Sequence, residues 1–265
     1  VSKNVQDTYY RNDICNLLLW HLQRAGREAE REKSDNFEES YKKRLKFQKI
    51  SDWKKFRACI DLFEDSEYAI ISAFMFQLGK KSSKNRDFGE KYIRLYGTLN
   101  AFYLQIYSII ELAKLLHYPN PKSIENHFKE LPIYRLRGIA GSHTVNYQLD
   151  SELLNDKQGI NRFTSFRIVS VYLNNTGDKI VAIDQNDIQF EFNLLEELHK
   201  YKDISTTYLI QIIHHSIESL VSKKTDRVEM NNRLSELISN QIDYREIDEN
   251  KKYVEKIKKR LKKYL

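Results

Sequence analysis

The sequence predicts a mainly α protein, a helical bundle with a small antiparallel β-meander insertion and extra helices at its N- and C-terminal ends. Three observations predict it. The 265 residues hold only eight glycines and three prolines, too few turn-formers for a β-sandwich or a disordered linker. Apolar residues recur at three- and four-residue spacing over most of the chain, the period of a helix with one buried face. Between residues 163 and 192 that period gives way to β-branched and aromatic residues punctuated by turns. A hydrophobic content of 41%, with 17 tyrosines and 13 phenylalanines, supplies a core and excludes global disorder.

The first helix is expected from about Thr8 to Lys33, with Ile14, Leu17, Leu18, His21 and Leu22 on one face and an almost wholly charged second half. In Tyr41–Arg57, eight cationic residues face a single acid, Asp52, with Phe47, Trp53 and Phe56 interleaved. This stretch alone carries as much net charge as the whole chain, +7. It is either a phosphate-binding surface or a solvated helix face with buried rings. A helix over Asp61–Gly79 follows, then a break at Ser82-Ser83. Glu90–His117 is the clearest helix, its apolar stripe wide enough to pack on more than one side. Tyr118-Pro119-Asn120-Pro121 should end it, since proline cannot continue the hydrogen-bond ladder. Short helices are read over Ser123–Leu131 and from Ile133 to about Ser142.

The meander is expected as Phe163–Leu173, Lys179–Asp184 and Ile188–Phe192, joined by turns at Asn174–Gly177 and Gln185–Asp187. In its third strand Ile188, Phe190 and Phe192 alternate with Gln189 and Glu191, the pattern of a half-buried strand. Helices resume over Leu194–Tyr201, Ser205–Ser222 and Arg227–Ile242. The last, Ile247–Leu265, sets Val254, Ile257, Leu261 and Leu265 on one stripe and lysines, among them Lys258, Lys259 and Lys263, on the rest. That face fits either a nucleic acid or acidic partner, or plain solvation. Three regions result: an N-terminal helical region (1–84), a core with the meander at about 163–193 (85–222), and basic C-terminal helices (223–265).

The two cysteines, Cys15 and Cys59, make no disulfide framework. The apolar run Ala69–Leu78 is about half the length of a membrane span. The chain opens on Val1 and a polar segment with no signal peptide, so a soluble, cytoplasmic protein away from the membrane is expected. No glycine-rich phosphate loop and no H-E-x-x-H motif occur, and no cofactor or metal is called for. His214-His215 falls mid-helix; neighbouring side chains diverge by about 100° there, so satisfied core or interface histidines are expected instead of a metal pair.

One segment carries chemistry. In Tyr134–Asn146, Arg137 precedes His143 by six residues, with Arg135 two residues before it and Ser142 beside the histidine. An imidazole shuttles protons near neutral pH. A guanidinium, always charged, holds a phosphate and the negative charge that develops on it. Together they suffice for metal-free RNA cleavage by the ribose 2′-OH, which leaves a 2′,3′-cyclic phosphate. The spacing alone is a weak signal, because 16 arginines and seven histidines placed at random give about one such match. On an ideal helix the two side chains lie about 120° apart, and two copies across a two-fold axis offer a remedy. Gly138 and Gly141 favour a local end or kink of the helix.

The helix segment Tyr96-Gly97-Thr98-Leu99-Asn100-Ala101-Phe102-Tyr103-Leu104-Gln105, followed by Leu136-Arg137 and Gly141-Ser142-His143-Thr144, resembles the HEPN superfamily. More narrowly it is similar to bacterial HEPN-like proteins in which a Y-G-x-L-Q-A-L-Y-x-Q-Q helix precedes R-N-x(4)-H-P and a short β meander. The resemblance spans roughly residues 87–201 and implies a HEPN-like helical bundle that dimerises. It also implies a metal-independent endoribonuclease site between protomers, and a toxin or phage-defence role with a protein antitoxin as partner. Carried over, Arg137 binds the phosphate and His143 is the general acid–base. Two departures stand out: Gly138 replaces the polar residue that usually follows the arginine, and Thr144 replaces the proline after the histidine. Two functions follow. One is an endoribonuclease in which Arg135, Ser142, Lys258, Lys259 and Lys263 assist RNA binding. The other is a catalytically inactive HEPN-like module that binds nucleic acid or a partner protein.

Overall fold

The computed structural model describes residues 11–20, 39, 42–43, 45–79, 88–142, 147–148, 163–164 and 166–239. These are mostly helical, with a small three-stranded antiparallel sheet. The helices are α1 (residues 11–20), α2 (Ser51–Phe76), α3 (Phe88–Leu115), α4 (Pro121–Lys129), α5 (Pro132–Ser142), α6 (Leu194–Leu220) and α7 (Lys224–Ser239). The strands are β1 (Tyr147–Gln148), β2 (Phe163–Thr164), β3 (Phe166–Ile168), β4 (Ile180–Asp184) and β5 (Gln189–Phe192). The expected first helix is described only over residues 11–20; the Ser82-Ser83 break and the C-terminal basic helix lie outside the described residues.

Several boundaries differ from the sequence reading, each for a local reason. The second helix begins at Ser51, not Asp61. The Lys49 amide donates to the Asp52 carboxylate at 2.9 Å, which satisfies one group at the helix entrance. The buried residues Phe56, Cys59, Ile60, Phe63, Glu67 and Ile70 then continue one stripe without a break. α3 stops at Leu115, before the prolines. His117 takes a left-handed conformation (φ 55°) and the Tyr118 amide reaches back to the Ala113 carbonyl at 2.8 Å, the Schellman arrangement. The helices expected over 194–201 and 205–222 are one helix, α6. Its buried stripe includes Lys202, Ser205 and Thr206, polar residues that read as a break.

The first strand is also shorter than expected. Phe163–Leu173 divides into β2, β3 and a 3-10 turn at Ser170–Tyr172, and β2 pairs with β1. In the sheet, β4 is central: its Ala182 is paired with Ile168 of β3 on one side and Phe190 of β5 on the other. Ile188 lies in the turn and is exposed, so it does not join the buried alternation. The turn at 174–177 requires its glycine: Gly177 has φ 72°, and a Cβ there would meet Leu78 at 3.2 Å.

The chain divides into two units. One comprises residues 1–60, 115–117 and 209–265. Phe47 and Phe56 are buried within it, their rings 5.8 Å apart, and Trp53 lies 5.9 Å from Phe56. The other comprises residues 61–114 and 118–208. Its core centres on Phe102 of α3, whose ring meets Tyr201 edge-on at 4.7 Å. Among the described residues no helix is long and apolar enough to cross a membrane.

Candidate functional site

α5 carries the arginines singled out by the sequence, and it is gripped from two sides. Ile133, Leu136, Ile139 and Ala140 are buried, which fixes the rotation of the helix. The Arg137 guanidinium then lies 3.9 Å from the centre of the Tyr103 ring on α3. Tyr134, one turn earlier, packs on the same ring at 6.2 Å and on Phe102 at 6.4 Å. Arg135 points elsewhere: two helical positions separate it from Arg137 by about 160°. Its guanidinium sits 4.2 Å over Phe190 of β5, a ring that in turn meets Phe166 of β3 at 5.7 Å. The two arginines thus serve different surfaces, one on α3 and one on the meander.

Arg137 is half-buried, and no carboxylate among the described residues pairs with it. A guanidinium that presents its face to a ring keeps its in-plane N–H donors for other acceptors. The contact contributes about 0.5–2 kcal/mol at such a site. α5 ends at Ser142, the residue directly before His143 in sequence, so Gly138 and Gly141 do not end it earlier. His143, and with it Thr144, lies outside the described residues, as do Lys258, Lys259 and Lys263; the same holds for the Ser142 side chain.

The ring beneath Arg137 belongs to a longer feature. At 100° per residue, Tyr92, Tyr96 and Tyr103 fall within about 40° of arc on α3, with Tyr107 about 20° further round. The first three are half-buried. Tyr107 is 50% exposed and Ile93, on the same side, 74%. From Leu95 to Ile110 the helix carries no charge at all. Burial pushes the Tyr92 and Tyr96 phenols above their ordinary pKa, and Tyr92 adds to the effect on Tyr96. The sequence reading places Tyr92, Tyr96 and Tyr103 in the packed apolar stripe of this helix. The tyrosines fall at the edge of the buried arc (Leu95, Leu99, Phe102, Ile106), whose centre lies about 80° round the helix, and are therefore only partly covered.

Behind that arc is a polar cluster that sequence reasoning missed. Gln105 donates to Glu67 of α2 at 2.9 Å and accepts from the Tyr201 hydroxyl of α6 at 2.8 Å. The Lys202 ammonium lies 4.0 Å from the same Glu67 carboxylate. All four residues are buried. A signal was present: Glu67, Gln105 and Lys202 each sit at an apolar position of a helical stripe.

Other groups contribute less. His127 and Tyr208 share a 2.7 Å hydrogen bond, and burial, helped by Tyr118 and Glu130, raises the Tyr208 phenol. His214 is exposed and His215 half-buried, so His214 is not a core histidine. Among the described residues no group of three or more His, Cys, Asp or Glu side chains is placed to hold a metal. A groove of about 400 Å³ along α7 is lined by Glu229, Asn232 and Arg233, and by none of the residues singled out above.

No family model matches the chain, and neither a curated protein nor a solved structure matches it.

Proposed function

We propose that the chain is a metal-independent endoribonuclease of the HEPN type, with Arg137 and His143 of two protomers forming the active site. The observation that carries this reading is the half-buried Arg137 guanidinium stacked at 3.9 Å on Tyr103, with no acidic partner among the described residues. A cation held by its face, with its donors unspent on carboxylates, suits a phosphate. In the reaction one imidazole accepts the 2′-OH proton while that oxygen attacks the adjacent phosphorus. The protonated imidazole of the second protomer gives a proton to the departing 5′-oxygen. The guanidinium offsets the charge that grows on the non-bridging oxygens.

The uncharged outer face of α3 supports the homodimer. Interface centres are depleted of charge and enriched in tyrosine and arginine, and this face holds four tyrosines with Arg137 stacked on one of them. An RNase of this type suits a toxin or phage-defence role in the cytoplasm, restrained by a protein partner. The test is incubation with end-labelled RNA in EDTA beside His143→Ala and Arg137→Ala. Cleavage leaving 2′,3′-cyclic phosphate ends is expected from the wild type alone; equal products from wild type and both variants end the reading.

The second reading is an inactive HEPN-like module that binds nucleic acid or a partner protein. It is favoured by the same contact seen as a strut: Arg137 also ties α5 to α3. In that case His143→Ala leaves binding intact, and no cleavage is seen on any RNA.

A further inference from the structure

We infer that the unit built from residues 1–60, 115–117 and 209–265 carries a second, sequence-independent contact surface for the phosphate backbone of RNA, formed where two basic segments distant in sequence meet. The juxtaposition rests on one bond. The Lys46 ammonium donates to the Ser219 carbonyl at 3.0 Å, across 173 positions of chain. His117 fastens the same segment, its Nε2 lying 3.2 Å from the Lys46 carbonyl. Lys43 and Lys49 are three residues to either side of Lys46. Lys223 and Lys224 follow Ser219 by four and five residues, and a chain of that length spans at most about 18 Å. Five lysines from two parts of the sequence thereby lie within a few residues of one tertiary hydrogen bond.

The charge is outward and poorly compensated. Lys43, Lys46, Lys49, Lys223 and Lys224 are all exposed, while the interleaved Phe47 and Phe56 are buried. Of the interleaved rings Phe47 and Phe56 are thus core and Trp53 is half-buried, while the other four ammonium groups are left to solvent or a partner. Asp52 accepts from the Lys49 amide, Glu218 is held by Asn231 at 2.7 Å and Arg227 at 3.5 Å, and Asp226, two residues after Lys224, is half-buried and accepts from the Thr225 hydroxyl at 3.4 Å. Clustered, uncompensated ammonium groups on one face fit a polyanion with closely spaced charges. RNA is preferred over an acidic protein because the patch offers closely spaced point charges, which suits a repeating backbone.

The inference deepens the RNA reading above, and its assay involves no cleavage, so either can fail alone. A labelled 20-nucleotide oligouridylate is titrated with the full chain in a His143→Ala background, by fluorescence anisotropy from 50 to 200 mM KCl. The patch variant is Lys43→Gln/Lys49→Gln/Lys223→Gln/Lys224→Gln, with Lys46 kept because it holds Ser219. The control removes equal charge elsewhere: Lys122→Gln/Lys129→Gln/Lys179→Gln/Lys200→Gln.

On single strands each phosphate contact contributes about 0.7 to the log–log salt slope, so four lysines account for about 3, or roughly fifty-fold over this salt range. The patch variant is expected to lose most of that slope and at least tenfold in affinity at 50 mM; the control should change less than twofold. If the quadruple variant does not fold, Lys43→Gln/Lys49→Gln and Lys223→Gln/Lys224→Gln are read separately, each expected to lose about half the slope. Equal losses in patch and control, a flat salt response, or binding to polyglutamate or phosphatidylserine vesicles but not to RNA would each overturn the proposal.

Discussion

Replacing Gln105 by methionine keeps the side chain's length and removes its two short amide contacts, together with a longer one at 3.5 Å to the Phe63 carbonyl. Tyr201 then loses the acceptor it has at 2.8 Å, and Glu67 the donor it has at 2.9 Å. Both partners are fully buried, so water cannot substitute without opening the core. Stranding a buried polar group costs about 1–3 kcal/mol. With packing retained by the isosteric side chain, about 1–3 kcal/mol for Tyr201 and about 1 kcal/mol for Glu67, which keeps Lys202 at 4.0 Å, give about 2–4 kcal/mol in all. Against a total stability of about 5–15 kcal/mol this is large. At roughly 2–4 °C per kcal/mol it lowers the melting temperature by about 4–16 °C. Urea titration and calorimetry measure it. Adding Tyr201→Phe supplies the internal check: with the hydroxyl gone, the double variant should recover about 1 kcal/mol or more relative to additivity. A Gln105→Met protein within about 0.5 kcal/mol of wild type, or strictly additive behaviour, would refute the reasoning, because surface substitutions already cost that little.

Two further outcomes are expected. Tyr103→Leu removes the ring under Arg137 and should cost about 1 kcal/mol in urea titration; RNA cleavage should fall at least tenfold, while Tyr103→Phe preserves both, and equal losses in the two variants would transfer the role from ring face to hydroxyl. The raised phenols of Tyr92 and Tyr96 favour the neutral form in the folded state. Their contribution is therefore complete below the ordinary phenol range near pH 10 and is lost as pH climbs through the folded values. Stability measured between pH 9 and 11.5 should decline less steeply in Tyr92→Phe/Tyr96→Phe, and an unchanged slope would contradict it.

What the sequence made legible follows the strength of each local signal. α3 was read nearly to its ends because its buried arc is unbroken, and Ile180–Asp184 because β-branched residues lie between two turns. The same logic failed where polar residues occupy buried positions. Glu67 in α2 and Lys202 in α6 look like solvent-facing residues until α3 places Gln105 beside Glu67. A one-dimensional pattern assigns a charge to the surface; only the third helix reveals its partner. The site was legible to a similar depth. Arg137 could be chosen by residue type and spacing, but its stacking on Tyr103 depends on α5 packing across α3, which no local signal encodes. Arg135 shows the converse, since proximity in sequence grouped it with Arg137 and helical geometry sends it to Phe190.

These observations converge on α3 as the element that links stability to presentation. Its inward side holds Gln105 between Glu67 and Tyr201. Its outward side, two residues earlier, holds Arg137 on Tyr103. Gln105 and Tyr103 are about 160° apart on the helix, so one rotational setting satisfies both. Phe102 joins the two sides, because its ring touches both Tyr201 in the core and Tyr134 on α5. Interiors packed like crystals transmit such settings instead of absorbing them. A substitution in the polar cluster should therefore disturb the Arg137 stack before the fold is lost. In sub-denaturing urea, Gln105→Met would then lose RNA cleavage at concentrations where its far-UV circular dichroism is still native. Simultaneous loss of both signals would mean that the inward and outward faces of α3 are not coupled through its rotation.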